Sequence, residues 1–185
     1  IFIPNAPSLG DGNISASAWV NTNVDDVVQT IVAQFDLFDI KIRASGGDLT
    51  LYLVNSTEDA TILVDICPGA INVGQWHHVA FTTNTTNATA YVDGVLCGVM
   101  PFYGPVDVDS NDIYIGNDVF NAQDFNGTID EVMIFNRSLS SAEIQSIYNA
   151  SEYRYEVNHT GLSDGSHSYK VYVTDSSAHV NFSER

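Results

Sequence analysis

The sequence predicts an all-β fold, a two-sheet antiparallel sandwich with one short helix, followed by a C-terminal β segment too small to stand alone. Period-two alternation and β-branched runs recur along the chain, each bounded by Gly, Asn, Asp or Pro. Only one segment carries a helical pattern. Apolar residues make up 44% of the 185 residues, enough to fill a core between two sheets. Many short strands with polar turns favour sheets that each bury one face against a partner.

The chain opens on Ile1-Phe2-Ile3-Pro4, which reads as the middle of a strand and hence as a processed product or a segment of a longer polypeptide. Strands are then expected at Ile14–Val20, Val27–Phe35, Leu37–Arg43, Leu49–Val54 and Thr61–Ile66. Further strands are expected at Trp76–Thr83, Ala88–Val92, Val95–Met100, Asp112–Gly116 and Thr128–Phe135. Asp93-Gly94 joins two of these with the dipeptide of a type I′ hairpin, in which both residues need positive φ. Ser140-Ser141-Ala142-Glu143 is a capping box, the Ser140 hydroxyl accepting from the first turn and Glu143 reaching back. With Ala142, Ile144, Ile147 and Tyr148 it predicts a helix of about two turns leaning on a sheet. Beyond Ser151, Tyr153–Val157 and Tyr169–Val173 alternate again around a Gly161–Gly165 turn. This tail is shorter than the roughly 40 residues that sustain a core, so it must lean on the sandwich, on further sequence or on a neighbouring chain.

Charge and sequons narrow the setting. Only 6 Lys and Arg stand against 23 Asp and Glu, for a formal charge of -17. That balance argues against nucleic acid and anionic membrane surfaces, because phosphate binding needs cations to displace counterions. No apolar run approaches the ~20 residues of a membrane span, so no membrane insertion is expected. Acceptor sequons begin at Asn13, Asn55, Asn84, Asn87, Asn126, Asn136, Asn149, Asn158 and Asn181. With 16 Asn and 30 Ser plus Thr in the chain, chance would supply about two or three. The excess points to an extracellular, cell-surface glycoprotein carrying N-linked glycans. Cys67 and Cys97 are compatible with two buried thiols or with one bridge in an oxidising compartment. Cys67 precedes the Trp76 strand and Cys97 follows the Asp93-Gly94 hairpin, so in the extracellular reading a Cys67–Cys97 disulfide is expected.

Three stretches carry a family resemblance: Ser15-Ala16-Ser17-Ala18-Trp19-Val20; Gly74-Gln75-Trp76-His77-His78-Val79-Ala80 followed by Tyr91-Val92-Asp93-Gly94; and Phe125-Asn126-Gly127-Thr128-Ile129-Asp130-Glu131-Val132 running into Ile134–Ser140. In this order they resemble the laminin G-like family of the concanavalin A-like superfamily, which implies a jelly-roll domain over residues 1–150. Residues 151–185 resemble, through Leu162-Ser163-Asp164-Gly165 and Val171–Asp175, the last strands of immunoglobulin-like modules in prokaryotic surface proteins. That implies a partial immunoglobulin-like β segment, completed by a neighbouring chain or by further sequence. Trp76 and Val79 are expected to anchor one sheet and Trp19 the other, since aromatics dominate cores. Adjacent His77 and His78 point to opposite faces and read as structural.

No catalytic pattern emerges. Retaining glycosidases need two carboxylates about 5 Å apart, which sandwich enzymes place on one strand as Glu-x-Asp-x-x-Glu, and no such pattern occurs. Nucleophile-elbow, metalloprotease and phosphate-loop motifs are absent from the sequence as well. No enzyme activity is therefore expected. Calcium is a possible cofactor: the resemblance puts Asp130 at a position that can lie near an ion, and Asp25 and Asp26 join it by composition. Three functions follow. The first is a structural glycoprotein, a subunit or repeat of a surface filament or stalk built through β-strand contacts with copies of itself or adjacent domains. The second is an adhesion module binding carbohydrate or protein, for which Tyr103, Phe120 and Phe125 are candidate exposed aromatics. The third is an accessory domain of a larger enzyme. The first is favoured, because nine sequons would obstruct a broad binding face more than they would harm a fibre.

Overall fold

Alternation decides which side of each strand enters the core, and the computed structural model follows it through residues 1–4, 6, 12–34, 37–43, 46–54, 60–103, 105–106, 112–118, 122–152, 170–174 and 180–184, the residues described. The chain divides into two compact units, Ile1–Tyr153 and Arg154–Arg185.

In the first unit, strands β1 (Phe2–Ile3), β2 (Ser15–Thr22), β3 (Gln29–Gln34), β4 (Phe38–Arg43), β5 (Asp48–Val54) and β6 (Ala60–Cys67) are followed by β7 (His77–Thr83), β8 (Asn87–Val92), β9 (Val95–Pro101), β10 (Ile113–Ile115), β11 (Gly127–Phe135) and helix α1 (Ser141–Glu152). One sheet runs β1-β10-β3-β4-β5-β6 and the other β11-β2-β7-β8-β9, with every pairing antiparallel. Phe38, Ile40 and Ile42 of β4 and Leu49, Leu51 and Leu53 of β5 meet Ala16, Ala18 and Val20 of β2 and Val79 and Phe81 of β7 in one buried layer. Phe38 and Phe81 touch across it with ring centroids 5.3 Å apart. The all-β jelly-roll sandwich with one short helix is therefore the architecture.

The details differ from the sequence reading in physical ways. The second expected strand starts at Gln29, because Val27 is exposed in the acidic turn after β2. Trp76 anchors no sheet: it is 45% exposed and lies just before β7. Trp19 and Val79 share a sheet, since β2 and β7 are neighbours. Helix α1 has 12 residues, three turns rather than two. Its box is formed: Ser140 N–H and Oγ donate to Glu143 Oε2 at 2.8 Å, and Glu143 N–H donates back to Ser140 Oγ at 3.3 Å. The Arg137 guanidinium, 2.8 Å away, and then the Ser140 donors hold the Glu143 carboxyl down to about 2. The β8–β9 turn has Asp93 at φ 51° and Gly94 at φ 73°, as a type I′ turn requires.

Strands β6 and β9 end their sheets, and there the two sheets are clamped together. Cys67 and Cys97 form a disulfide with Cα atoms 5.5 Å apart. Beside it, a Cβ on Gly98 would lie 2.3 Å from the Ile66 carbonyl oxygen, so only glycine admits this approach. In the second unit, β12 (Lys170–Thr174) pairs antiparallel with β13 (Val180–Glu184). The expected strand at Tyr153–Val157 lies outside the described residues.

The disulfide spans 30 residues, which in the chain-entropy model is worth about 3.6 kcal/mol, or about 7–14 °C for a domain of this size. Reduction, or the double variant Cys67→Ala/Cys97→Ala, is expected to lower the calorimetric melting temperature by that amount; an unchanged melt under reductant would refute it. Gly98→Ala, with the disulfide intact, should cost about 1–3 kcal/mol by overpacking.

Candidate binding face

Each sheet has an outer face, and the two are treated differently. On the five-stranded sheet the register sets Asp130 of β11, Trp19 of β2 and His78 of β7 side by side. Helix α1 and the residue Leu139 ahead of it close over part of this face: Leu139, Ile144 and Ile147 bury Ala80 and Tyr91. Tyr148 stacks on Trp19 at 5.6 Å and meets His78 at 5.9 Å, and Trp19 meets His78 at 5.5 Å. Neither ring nitrogen of His78 finds a hydrogen-bond partner among the described residues. Burial holds its pKa down to about 4, outweighing the pull of Asp93. His77, on the opposite face, is tied through Nδ1 to Asp93 Oδ2 at 2.8 Å and accepts the Asn72 N–H at Nε2.

Among the described residues of the first unit no helix covers the outer face of the six-stranded sheet. Strand β4 puts Asp39, Lys41 and Arg43 there because Phe38, Ile40 and Ile42 take the core side. Across the strands, Asp39 lies between Ala33 of β3 and Tyr52 of β5, and Lys41 between Thr30 and Thr50. Tyr114 of β10 lies beside Ala33 and against Phe2, with ring centroids 5.1 Å apart. Ala33, Thr30 and Thr50 are a buried floor; Asp39, Lys41, Tyr52 and Tyr114 are half-buried, while Phe2 and Arg43 are exposed. Tyr114 and Tyr52 stand three strand spacings apart, about 14 Å. An open hollow lined by Ile1, Phe2, Tyr114 and Asn117 continues the row.

The electrostatics of this face are local. Lys41 Nζ lies 2.8 Å from Asp39 Oδ2. Burial pushes the Asp39 carboxyl up, against the stabilising Lys41, with Asp118 adding repulsion. Asp118 is buried and accepts the Ala122 N–H at 2.9 Å. The segment that follows is pinned to β3, where Thr30 N–H donates to Gln123 O at 3.0 Å. Half-buried ionic groups flanked by tyrosines offer a polar ligand both hydrogen bonds and ring faces to stack on.

The sequence-predicted sites are scattered. Asp25 and Asp26 are exposed in the turn after β2, while Asp130 is exposed on β11 with its Oδ1 accepting the Glu131 N–H at 2.8 Å. Among the described residues no group of three or more His, Cys, Asp and Glu is placed to hold a metal ion. Of the sequons, Asn84, Asn126, Asn136 and Asn149 are exposed and Asn13 and Asn87 half-buried. Asn181 lies on β13, and Asn55 and Asn158 lie outside the described residues. Tyr103 is 74% exposed, Phe125 packs against the core, and Phe120 lies outside the described residues. Sequence reasoning missed Tyr52, Tyr114 and the β4 trio; the signal was the alternation of Phe38-Asp39-Ile40-Lys41-Ile42-Arg43, which sends three charges to one face.

The laminin G-like family model described as the concanavalin A-like lectin/glucanases superfamily matches residues 1–145, and the chain belongs to that family. Among solved structures it is similar to a heptameric SAP-like pentraxin from Limulus polyphemus, at 17% identity and TM-score 0.63, over 80% of this chain and 73% of that one. It is also similar to the CBM40 of the Ruminococcus gnavus IT-sialidase bound to α2,3-sialyllactose, at 15% identity and TM-score 0.62, over 78% and 84%. A third likeness is to the botulinum neurotoxin serotype D binding domain, at 21% identity and TM-score 0.60, over 80% of this chain but only 38% of that one. These identities establish a shared fold. No curated protein matches the chain. Among the described residues no helix is long and apolar enough to cross a membrane.

Buried neutral in the folded state, His78 titrates near 4 against an ordinary 6.5. The unfolded chain therefore takes up this proton first, and stability should fall between pH 6.5 and 4 by up to about 3 kcal/mol. His78→Phe keeps the ring contacts, needs no hydrogen bond and should remove that part of the acid slope in urea unfolding followed from pH 4 to 7. An unchanged slope would show that His78 is not its source.

Proposed function

We propose that this chain is a non-catalytic, N-glycosylated extracellular adhesion module that binds carbohydrate through the outer face of its six-stranded sheet. The observation that carries this reading is the face itself, where Tyr52 and Tyr114 flank Asp39 and Lys41 on a sheet that no helix covers among the described residues. The likeness to a carbohydrate-binding module and to receptor-binding domains points the same way. Sequon placement supports this reading against the objection that glycans would obstruct binding. Every sequon Asn described in the first unit lies on, or within two residues of, a strand of the five-stranded sheet, or on α1. Asn55 and Asn158 lie outside the described residues. Glycans at the described positions of the first unit would project from elements other than β5 and β10, which carry Tyr52 and Tyr114. Calcium at Asp25, Asp26 or Asp130 belongs to this proposal only as a loop-stabilising ion, and a melt unchanged by chelator would remove it.

The filament reading keeps one supporting observation. Val95, Leu96 and Val99 of β9 are 64%, 54% and 53% exposed, apolar side chains suited to contact with another copy or an adjacent domain. In this reading the partial immunoglobulin-like segment completes its sheet with a neighbour's strand. Concentration-dependent sedimentation and electron microscopy of native material test it, and a strictly monomeric protein would end it.

Material secreted from a glycosylating host should have an intact mass above 20.1 kDa that glycan removal restores. A glycan-array screen should then give binders. Tyr52→Ala and Tyr114→Ala should each weaken binding about tenfold, roughly 1.4 kcal/mol. No binder on the array, or a double variant that binds like the parent, would refute the reading.

A further inference from the structure

We infer that the ligand of this face carries an isolated carboxylate, as a uronic or sialic acid does, and that Arg43 receives it. The inference rests on the carbohydrate-binding reading above and adds the chemical class of the sugar. Its basis is where a very acidic chain keeps its few cations. Between Ile1 and Tyr153 the only Lys and Arg residues are Lys41, Arg43 and Arg137. Two of them lie on one strand, on one face, one pleat repeat or about 7 Å apart.

The three are not equally committed. Arg137 is held by Glu143 at 2.8 Å and donates to the Ser138 carbonyl, beside the helix start. Lys41 is neutralised by Asp39 at 2.8 Å. Arg43 is exposed and forms no ion pair among the described residues. Its cross-strand neighbour is the carboxylate Asp48, yet Asp48 Oδ1 accepts the Gly69 N–H at 2.7 Å. A guanidinium without an ion pair, at the end of a row that begins with Asp39 between two tyrosines, presents a planar fork that fits a carboxylate with two parallel hydrogen bonds.

The same charge distribution limits the ligand. A densely charged polyanion would meet the repulsion of a chain at -17. A single carboxylate seated at Arg43 meets a patch in which Asp39, Lys41, Arg43 and Asp48 sum to no net charge. Asp39 and Arg43 are four residues apart, about 13 Å along the strand. The ligand that uses both ends is therefore a short oligosaccharide with its acidic sugar towards Arg43.

The test uses the full chain and matched ligands, each acidic one carrying a single carboxylate: sialyllactose against lactose, and a neutral oligosaccharide ending in one glucuronic acid against its methyl ester, by titration calorimetry. At least one acidic sugar should bind ten times or more tighter than its neutral counterpart, with the preference shrinking as salt rises. Arg43→Ala should erase the preference and keep residual neutral binding, and Arg43→Lys should restore part of it. Melting curves matched to the parent would confirm that the variants are folded. Equal binding of acidic and neutral partners, or a preference that survives Arg43→Ala, overturns the inference and leaves the carbohydrate reading standing. Failure of every glycan on the array overturns both.

Discussion

A strand that alternates can bury one side in a shared core, but its other side must find water or a cover. The two sheets of this domain meet that requirement in opposite ways, and the rest of the structure follows. On the five-stranded sheet the cover is supplied: β7 is buried along its whole length, Val79 and Phe81 on the core side and His78, Ala80 and Thr82 on the other. The capping box starts the helix that provides this cover, and Tyr148 ends it on Trp19, His78 and Gly94, where a Cβ would lie 2.9 Å from the tyrosine ring. On the six-stranded sheet no helix arrives among the described residues, and β4 keeps Asp39, Lys41 and Arg43 there. Charge persists at a sheet surface where it stays partly hydrated or paired.

Closing one side also fixes how the sandwich ends. Edge strands attract partners, and native sheets blunt them. At β6 and β9 the two edges blunt one another, with the disulfide and the Gly98 contact holding them too close for a further strand to enter between. Cys67 is buried and Cys97 exposed, so the bridge reaches from the core margin to the surface. At the other end of the six-stranded sheet, β1 has only two residues. That edge is short rather than clamped, and the hollow beside Tyr114 opens there.

Much of this was legible in the residues. Ser15–Val20 alternates Ala16, Ala18 and Val20 into the core, Asp93-Gly94 names its own turn, and Ser140 with Glu143 names the start of α1. These signals are local, carried by backbone preference and spacing. What could not be read depends on which element lands on an outer face. Ser15, Ser17, His78 and Thr82 look like solvent-facing positions, yet all are buried: Ser15 Oγ meets Thr82 Oγ1 at 2.9 Å, and both hydroxyls accept the Leu139 N–H. Trp76 misled for the converse reason, since a large aromatic beside a strand is a good core candidate until the chain turns it outward. The bulge between Asp130 and Met133, with Glu131 at φ 48°, has no glycine to announce it. The candidate face went unnoticed because each of its residues is ordinary by itself, and only the register of four strands brings them together.

The acidity of the chain and the proposed acidic ligand are compatible once distance is considered. At physiological ionic strength the screening length is about 8 Å, and stacked sheets lie about 10 Å apart. Acids on the far sheet therefore act weakly on a group seated at β4, whereas Lys41 and Asp48 act strongly. The far-side charge still contributes solubility and discourages dense polyanions, which must approach with many charges at once. An acidic domain that keeps two of its three cations on one strand confines attraction for an anion to one small area. Composition alone would exclude anionic ligands; position restores one narrow class of them.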